Sequence, residues 1–355
     1  MIAFLGVSGP ARNPVRPLLL LLALLLASCA PGPLTAAVVR PEPALRIAGS
    51  GPLSVGADRL QPLPEGPAAF AAIHTLLTTA ARSLDLELYE FQREDLAAMI
   101  LAARRRGVRV TAIVDPSERS SAGVWDELAR GGAEVVPFPV EARSIDHVKL
   151  VVADGARAIV GGINWGRSSA NNRDYDVLAT GPVVGNLERV FAEDLALAGR
   201  PTPLPAMQPD PAVRVLVTRP GRGIRTALLR LIEQARRSID AELFVLSDRL
   251  VLEALQAAAR RGIRVRILLE PGQSQNPGSM RALLAAGAQA HLFPDSPNQL
   301  LHAKLGIFDR ASVLFGSCNW SLSGFTRNHE LDLQIDDPRL AGVFLDRLNV
   351  DWAAA

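Results

Sequence analysis

Cysteine is scarce in this chain of 355 residues, which contains only Cys29 and Cys318. Since Cys29 is assigned below to a processing signal, no pair remains to form an intramolecular disulfide. Stability must therefore come from a hydrophobic core, and 48% hydrophobic residues can build one in a chain long enough for two domains. Disorder throughout the chain is excluded.

The chain also lacks an excess of charge of either sign. It has 38 basic and 36 acidic residues, and subtracting Arg12 and Arg16 with the processing signal leaves 36 of each. Proteins that bind nucleic acids usually need a basic surface to neutralise phosphates. Formal neutrality weakens a nucleic-acid interpretation, although it leaves room for a local basic groove.

The N-terminus has an apolar run, Leu18–Leu26, that is shorter than the roughly 20 residues a membrane-spanning helix needs. Arginines precede it and Leu-Ala-Ser-Cys29 closes it, which is the order of an export signal. That closing tetrapeptide resembles the bacterial lipoprotein box, which implies a signal peptide over 1–28 and lipidation of Cys29. The alternative is an ordinary secretory signal in which Cys29 is incidental. Because Ala30 rather than Asp follows Cys29, we expect an exported protein anchored to the outer membrane or cell surface.

Residues 29–67 are rich in proline, and this composition predicts an extended tether with few regular elements. Beyond it, the strict alternation of Ser83–Tyr89 predicts a strand, and a helix is predicted from about Glu94 to Arg106. Gly107 ends that helix as a C-cap residue would, and Val108–Val114 begins a second strand. The order is a strand-helix-strand unit.

The same succession returns 155 residues later, so the chain is an internal duplication. We expect a first half over 68–200, a proline-rich linker over 201–214 and a second half over 215–355. Alternating strands and helices favour an α/β class, with two α/β sandwich halves related by a pseudo-two-fold axis around one shared active site. The matched positions are Ser83 and Ser238, Gly107 and Gly262, Pro116 and Pro271, His147 and His302, and Asn164 and Asn319.

Each half carries a His-x-Lys pair followed by four mostly apolar residues and an Asp. The apolar residues predict a buried strand. Side chains two apart on a strand share a face, so the imidazole and the ammonium should project together. The Asp lies at an odd spacing from the His and is predicted to be structural. The motif residues are His147, Lys149 and Asp154 in the first half, and His302, Lys304 and Asp309 in the second.

A second pattern follows each of these motifs. Seventeen residues after each His stands an Asn, Asn164 in the first half and Asn319 in the second, and Ser317 precedes the latter within Gly-Ser-Cys-Asn. Further on, Asp174 in the first half matches Glu330 in the second, at an offset of 156. An acidic residue is therefore present at the matching position of both halves.

Together these residues resemble the signature of the phospholipase D superfamily, a duplicated H-x-K-x4-D motif with a following G-S/G-x-N. The resemblance covers nearly the whole mature chain and points to a lipoprotein-type member. It implies two α/β halves that share one active site, which requires neither a metal nor a cofactor. Gly162 departs from the pattern, because the family more often has Ser there, whereas Ser317 keeps it.

Two imidazoles, two ammonium groups and two amides would form a pocket able to hold a phosphodiester. Lys149 and Lys304 would supply positive charge. Asn164, Asn319 and the Ser317 hydroxyl would contact the phosphate, where negative charge accumulates around pentacoordinate phosphorus.

The resemblance also implies roles for the histidines, between which sequence symmetry alone does not choose. His147 is expected to be the nucleophile that forms a phosphohistidine, and His302 the general acid and base, as imidazoles that titrate near neutral pH. Asp174 and Glu330 are expected to accept a hydrogen bond from the far ring nitrogen of the opposite half's histidine. By contrast, His74, His291 and His329 are predicted to be structural, and Trp165 and Trp320 to pack behind the pocket.

We expect a membrane-tethered phosphodiesterase that cleaves or transfers phosphatidyl groups, as a phospholipase D or a cardiolipin synthase-like phosphatidyltransferase. A lipid anchor would raise the effective concentration of phospholipid substrate. The duplication predicts activity as a monomer. One alternative is an extracytoplasmic phospholipase D-like nuclease, because Gly-Ser-Cys-Asn-Trp-Ser resembles the nuclease-like branch. Another is a lipoprotein that binds phosphate or headgroups without catalysis.

Overall fold

A computed structural model describes residues 51–219, 223–296 and 298–355. The predicted signal peptide over 1–28, the predicted lipidation site Cys29 and the predicted tether as far as residue 50 lie outside the described residues.

The first half builds a sheet that has eight strands among the described residues. In that sheet the spatial order is β1-β2-β8-β7-β6-β3-β4-β5. Strands β3, β4 and β5 are parallel, and the other neighbours are antiparallel, so the sheet is mixed. The strands are β1 (Leu53–Val55), β2 (Asp58–Leu63), β3 (Ser83–Leu88), β4 (Arg109–Val114), β5 (Glu134–Pro137), β6 (Lys149–Ala153), β7 (Arg157–Gly161) and β8 (Asp176–Thr180).

The second half builds a sheet with the same central order. Its described strands run β12-β11-β10-β13-β14-β15-β9, which repeats β5-β4-β3-β6-β7-β8 and adds β9 where the first sheet has β2. The predicted duplication and the α/β fold class are therefore confirmed. The strands are β9 (Val213–Val217), β10 (Ser238–Leu243), β11 (Arg264–Leu269), β12 (Gln289–Leu292), β13 (Lys304–Phe308), β14 (Ser312–Gly316) and β15 (Leu331–Asp336).

The helices lie in layers on both sheets. Helices α1 to α3 pack on the outer face of the first sheet, and α5 to α7 pack on the outer face of the second. Helices α4 and α9 share one core with the inner faces of both sheets, so this core joins the halves. The helices are α1 (Gly66–Thr79), α2 (Glu94–Arg105), α3 (Ala122–Arg130), α4 (Pro182–Leu197), α5 (Gly223–Gln234), α6 (Arg249–Arg260), α7 (Asn276–Ala285), α8 (Leu322–Thr326) and α9 (Pro338–Ala354).

The first strand-helix-strand unit agrees with the sequence pattern. Strand β3, helix α2 and strand β4 each begin and end within one residue of the predicted bounds. Gly107 follows α2 with φ of 93°, in the left-handed region where glycine carries no steric penalty. That conformation turns the chain out of the helix and into β4.

The tether prediction is wrong for its last part, because β1, β2 and the start of α1 lie within 51–67. Strand β2 pairs with β8 and buries Leu60 and Leu63. Pro62 is tolerated because β1 pairs only with Asp58–Leu60, so one side of β2 is unpaired at the proline. In the linker, no helix or strand of the described chain occurs between α4 and β9.

Candidate active site

The two halves meet through the segments that precede the His-x-Lys strands. The backbone N–H of His147 donates to the carbonyl of His329 at 2.8 Å, and that of Arg173 donates to the carbonyl of Leu300 at 2.8 Å. Each His stands just before its strand, since β6 begins at Lys149 and β13 at Lys304. This backbone pairing brings each histidine beside the acidic residue of the other half.

Both histidines are oriented through Nδ1. In His147, Nδ1 lies 2.8 Å from Glu330 Oε2 and 3.1 Å from the carbonyl oxygen of Ser317. In His302, Nδ1 lies 2.9 and 3.2 Å from the two carboxylate oxygens of Asp174. Because the Ser317 carbonyl can only accept, Nδ1 of His147 carries the proton and Nε2 presents its lone pair.

The two motif lysines are buried and lie against the backbone of their own motif. Lys149 Nζ donates to the His147 carbonyl at 2.6 Å. Lys304 Nζ donates to the His302 carbonyl and also lies 3.0 Å from His302 Nε2. Their exposures are only 4% and 2%. Two buried lysines beside two histidines can supply positive charge to an anion that enters the pocket.

Burial perturbs the titration of this group. It lowers the pKa of Lys149 to about 7 and that of Lys304 to about 8. It also lowers the pKa of His147 to about 4, and it lowers the pKa of His302. The expectation that both imidazoles titrate near neutral pH is therefore wrong for the free site, because desolvation disfavours their charged form. At pH 7 both are neutral.

An aromatic ring flanks each His-x-Lys pair. The Tyr89 ring lies 5.0 Å from the His147 ring and 5.3 Å from Lys149 Nζ. Phe244 lies at the matching position, with its ring 5.0 Å from the His302 ring and 5.2 Å from Lys304 Nζ. The sequence analysis missed both rings. Their sequence signal is an aromatic residue directly after β3 and directly after β10.

Neither predicted phosphate-binding Asn reaches a histidine. Asn164 is near the half-buried Glu90, whose pKa is raised by burial, while Lys149 and the Asn164 side chain act in the opposite direction. Within the described chain, the side-chain oxygen of Asn164 and that of Asn319 are buried without a hydrogen-bond partner. These oxygens leave the amides able to reorient when a ligand binds.

Ser317 does not have the predicted phosphate-binding geometry. Its hydroxyl donates to Glu330 Oε2 at 2.6 Å, accepts from the Leu331 N–H at 3.0 Å and is fully buried. It therefore orients Glu330. In the other half, a Cβ at Gly162 would lie 2.7 Å from Asp174 Oδ1. The first half thus combines Gly162 with the shorter acid Asp174, where the second half combines Ser317 with the longer acid Glu330.

The motif Asp residues lie at the far ends of their strands, in turns. Asp154 and Asp309 have φ of 59° and 52°. The Asp154 carboxylate accepts from the backbone N–H groups of residues 81–83, and that of Asp309 from those of residues 236–238. Both therefore tie the chain that enters β3 or β10 to the end of the neighbouring strand.

Within the described chain, none of the other side chains considered in the sequence analysis hydrogen-bonds to the ring of His147 or His302. His291 stacks on Trp352 with ring centroids 4.4 Å apart, and His74 is half exposed on α1 beside Asp95. Trp165 and Trp320 are buried. His329 is buried in a polar cluster described below.

Comparisons with known proteins agree with this geometry. The family model described as "Cardiolipin synthase, PLD-like domain" matches residues 73–195 and 228–352, one match in each half. Cardiolipin synthase A of Pseudomonas fluorescens is 27% identical over 327 residues, covering 82% of this chain and 68% of that protein. Cardiolipin synthase of Geobacillus kaustophilus is 26% identical over 337 residues, covering 82% of this chain and 66% of that protein. The chain thus spans about two thirds of the length of these curated relatives.

Solved structures show the same fold. The phosphatidylserine synthase of Haemophilus influenzae matches with a TM-score of 0.66 at 14% identity, over 85% of this chain and 87% of the other. The polyphosphate kinase of Porphyromonas gingivalis matches with a TM-score of 0.61 at 18% identity, over 83% and 47%. At these identities the likeness is one of fold.

The predicted localisation is wrong in the light of these relatives. Cardiolipin synthases are typically associated with the inner membrane, which conflicts with an exported lipoprotein at the outer membrane or cell surface. The apolar run and Leu-Ala-Ser-Cys29 are short local patterns, whereas the likeness to the synthases extends over most of the chain. Among the helices formed by described residues, none has the length and apolarity to cross a bilayer.

The family match covers both halves, and each half contains the matching fold, one copy of the motif and one of the paired histidines. The chain belongs to the phospholipase D superfamily, in the family of cardiolipin synthase, PLD-like domains.

Proposed function

We propose that this protein is a phosphatidyltransferase of phospholipase D type, which moves a phosphatidyl group from a phospholipid to an alcohol or to water through a phosphohistidine. One observation carries the proposal: two histidines, each bonded through Nδ1 to an acid of the opposite half, stand beside two buried lysines. The named activity of the relatives supports a phospholipid substrate.

His147 is the better nucleophile. Its Nδ1 proton is held by Glu330 and the Ser317 carbonyl, so Nε2 is a free lone pair. In His302, by contrast, Nε2 lies 3.0 Å from the Lys304 ammonium. In the first step, Nε2 of His147 bonds to phosphorus while the bond from phosphorus to the leaving oxygen breaks.

His302 is the acid that protonates the leaving oxygen. Burial leaves it neutral in the free site, so it must gain a proton once the anionic phosphodiester binds and favours the charged imidazole. Lys304 is a proton source within hydrogen-bonding distance of Nε2, and burial lowers its pKa to about 8. In the second step, His302 takes a proton from the acceptor hydroxyl, whose oxygen bonds to phosphorus as the bond to His147 breaks.

The lysines supply most of the electrostatic stabilisation. Lys149 and Lys304 are almost entirely shielded from water, and charge interactions in such a site are stronger than in solvent. Asn164 and Asn319 add amide donors once they turn toward the phosphate. We further propose that the protein acts as a monomer, with its two halves joined by the linker between α4 and β9.

The test uses the full chain with vesicles of phosphatidylglycerol, vesicles of phosphatidylcholine and single-stranded DNA, each in the presence of a chelator. Transfer or hydrolysis of phospholipid, abolished in His147→Ala and retained in the surface control His74→Ala, is the expected result. Cleaved DNA with untouched lipid would instead favour a nuclease. No turnover with intact binding of vesicles would favour a protein that only binds headgroups.

The assignment of nucleophile and acid needs a second measurement. With lipid labelled in the phosphatidyl group, an acid quench should trap label on His302→Ala, because attack by His147 is possible but resolution is slow. His147→Ala should trap none. The reverse pattern would exchange the two roles.

A further inference from the structure

A second group of buried polar side chains, two from the first half and one from the second, lies outside the histidine-lysine pocket. It contains Glu87 of β3, Asp194 of α4 and His329, the residue before Glu330, and we call these three residues the Glu87 cluster. Their exposures are 0%, 2% and 1%. His329 Nε2 lies 2.9 Å from Asp194 Oδ2 and 3.8 Å from Glu87 Oε1. One ligand atom from each of the three lies within 4.8 Å of the other two.

The cluster has too little positive charge. Asp146 is also completely buried and interacts with Glu87, so three carboxyl groups face one imidazole. No donor from residues 51–219, 223–296 or 298–355 reaches either oxygen of Glu87 or Oδ2 of Asp146. A buried carboxylate must be paired with a cation, bound to a metal or protonated.

The duplication provides an internal comparison. At the matching place in the second half, Glu242 accepts from the Tyr175 hydroxyl at 2.7 Å. Asp351 accepts from Arg173 at 3.2 Å, and Arg347 also binds it. The second half therefore places two guanidinium groups on Asp351 and a phenol hydroxyl on Glu242, whose Oε1 has no hydrogen-bond partner among the described residues.

Every difference between the two clusters removes positive charge or a donor from the first, or adds a carboxyl group to it. Directly before the acid that binds the opposite histidine, the second-half cluster has an arginine and the first-half cluster has a histidine. Directly after that acid, the second-half cluster has a tyrosine and the first-half cluster has a leucine. Four residues before the helix Asp, the second-half cluster has an arginine and the first-half cluster has a valine. Directly before the motif His, the second-half cluster has a leucine and the first-half cluster has an aspartate. The pairs are Arg173 and His329, Tyr175 and Leu331, Arg347 and Val190, and Leu301 and Asp146.

We propose that Glu87, Asp194 and His329 bind a divalent cation, with Zn²⁺ the best match, in place of the cations of the second half. One imidazole nitrogen with two carboxylate oxygens suits Zn²⁺ better than Mg²⁺ or Ca²⁺. Bonds of about 2.0–2.1 Å to tetrahedral zinc separate ligand atoms by roughly 3.3 Å. The observed 2.9 and 3.8 Å fall on either side of that value.

The ion would be structural. Glu87 and Asp194 belong to the first half, whereas His329 belongs to the second and lies next to Glu330, so the ion would join the halves beside the His147 partner. The His329 ring is held by stacking on Phe138, with centroids 5.0 Å apart and planes 13° apart. The site is separate from the phosphate pocket, so its existence does not depend on the proposed function.

The test measures metal content and thermal stability of the purified full chain. After chelation and reloading with Zn²⁺ alone, we expect about one zinc per chain by elemental mass spectrometry. At zinc about 100-fold above its Kd, the unfolding midpoint should rise by roughly 5 °C relative to chelator. His329→Arg, which copies Arg173, should fold and bind no zinc, and its midpoint should be the same with zinc and with chelator. The half-exposed control His74→Gln should bind zinc as the natural chain does.

Glu87→Gln is the second variant and covers the case in which His329→Arg fails to fold. Cobalt gives an independent signal, since Co²⁺ bound to the natural chain should show the visible absorption of a tetrahedral site and lose it in either variant. A natural chain that binds no zinc and unfolds at the same midpoint with zinc and chelator would overturn the proposal, as protons would then neutralise the cluster. Unchanged zinc content in both variants would also overturn it.

Discussion

Replacement of Glu330 by glutamine should separate the electrostatic role of this acid from its role in packing. The carboxylate is completely buried and has three donors: His147 Nδ1 at 2.8 Å, the Ser317 hydroxyl at 2.6 Å and the Asn328 amide at 2.9 Å. Glutamine keeps the shape, and Asn328 can flip to accept from the new amide. In the proposed mechanism, the main loss is the negative charge that would stabilise His147 when it becomes cationic on bonding to phosphorus.

The size of the effect follows from the contact that is weakened. A hydrogen bond to a charged group is worth about 1.5–3 kcal/mol, and each 1.36 kcal/mol changes the rate tenfold. Because the cation develops during reaction, kcat should fall by about 10- to 150-fold, and KM should change little. Phosphatidyl transfer between vesicles gives both constants.

The matched control is Glu233→Gln, which makes the same chemical change on the exposed end of α5. It should retain the natural kcat. If Glu330→Gln retained kcat within about threefold of the natural value, the acid would have no role in charge stabilisation, and the assignment of His147 as nucleophile through this pair would lose its support.

Two further predictions concern the first-half glycine and the second-half acid cluster. Gly162→Ser should lower kcat by up to about 100-fold, because its Cβ would lie 2.7 Å from Asp174 Oδ1 and displace the carboxylate from His302; an unchanged rate would contradict this steric argument. Burial raises the pKa of Glu242 from 4.5 to about 8, so the folded state holds this proton more tightly than the unfolded state and stability should fall as pH rises from about 4.5 to 8. Denaturant unfolding should show a flatter pH dependence for Glu242→Gln over that range, and an unaltered slope would show that Glu242 does not titrate as inferred.

The local pattern of the chain was sufficient to predict the first strand-helix-strand unit. Alternation in Ser83–Leu88 and the glycine after α2 are short-range signals, and the structure follows both. The local pattern was misleading at β2, where proline-rich composition predicted a tether. This strand pairs with β8, more than one hundred residues away. A partner strand at that separation leaves no trace in local composition.

The sequence by itself determined the duplication, the fold class, the superfamily and the residues that form the histidine-lysine pair. These properties depend on residue type and spacing, which can be read directly from the sequence. Its short N-terminal pattern misled the localisation, because a few residues carry little information compared with a likeness across both halves.

Only the tertiary structure decided how those residues are used. Packing within the second half placed the Ser317 hydroxyl on Glu330 instead of on phosphate, and burial lowers the pKa of both motif imidazoles, so that they are neutral at pH 7. It also assembled Glu87, Asp194 and His329, which lie far apart in sequence, into one cluster. Desolvation and contacts between distant segments arise only when the two sheets pack against each other, so no local pattern could contain them.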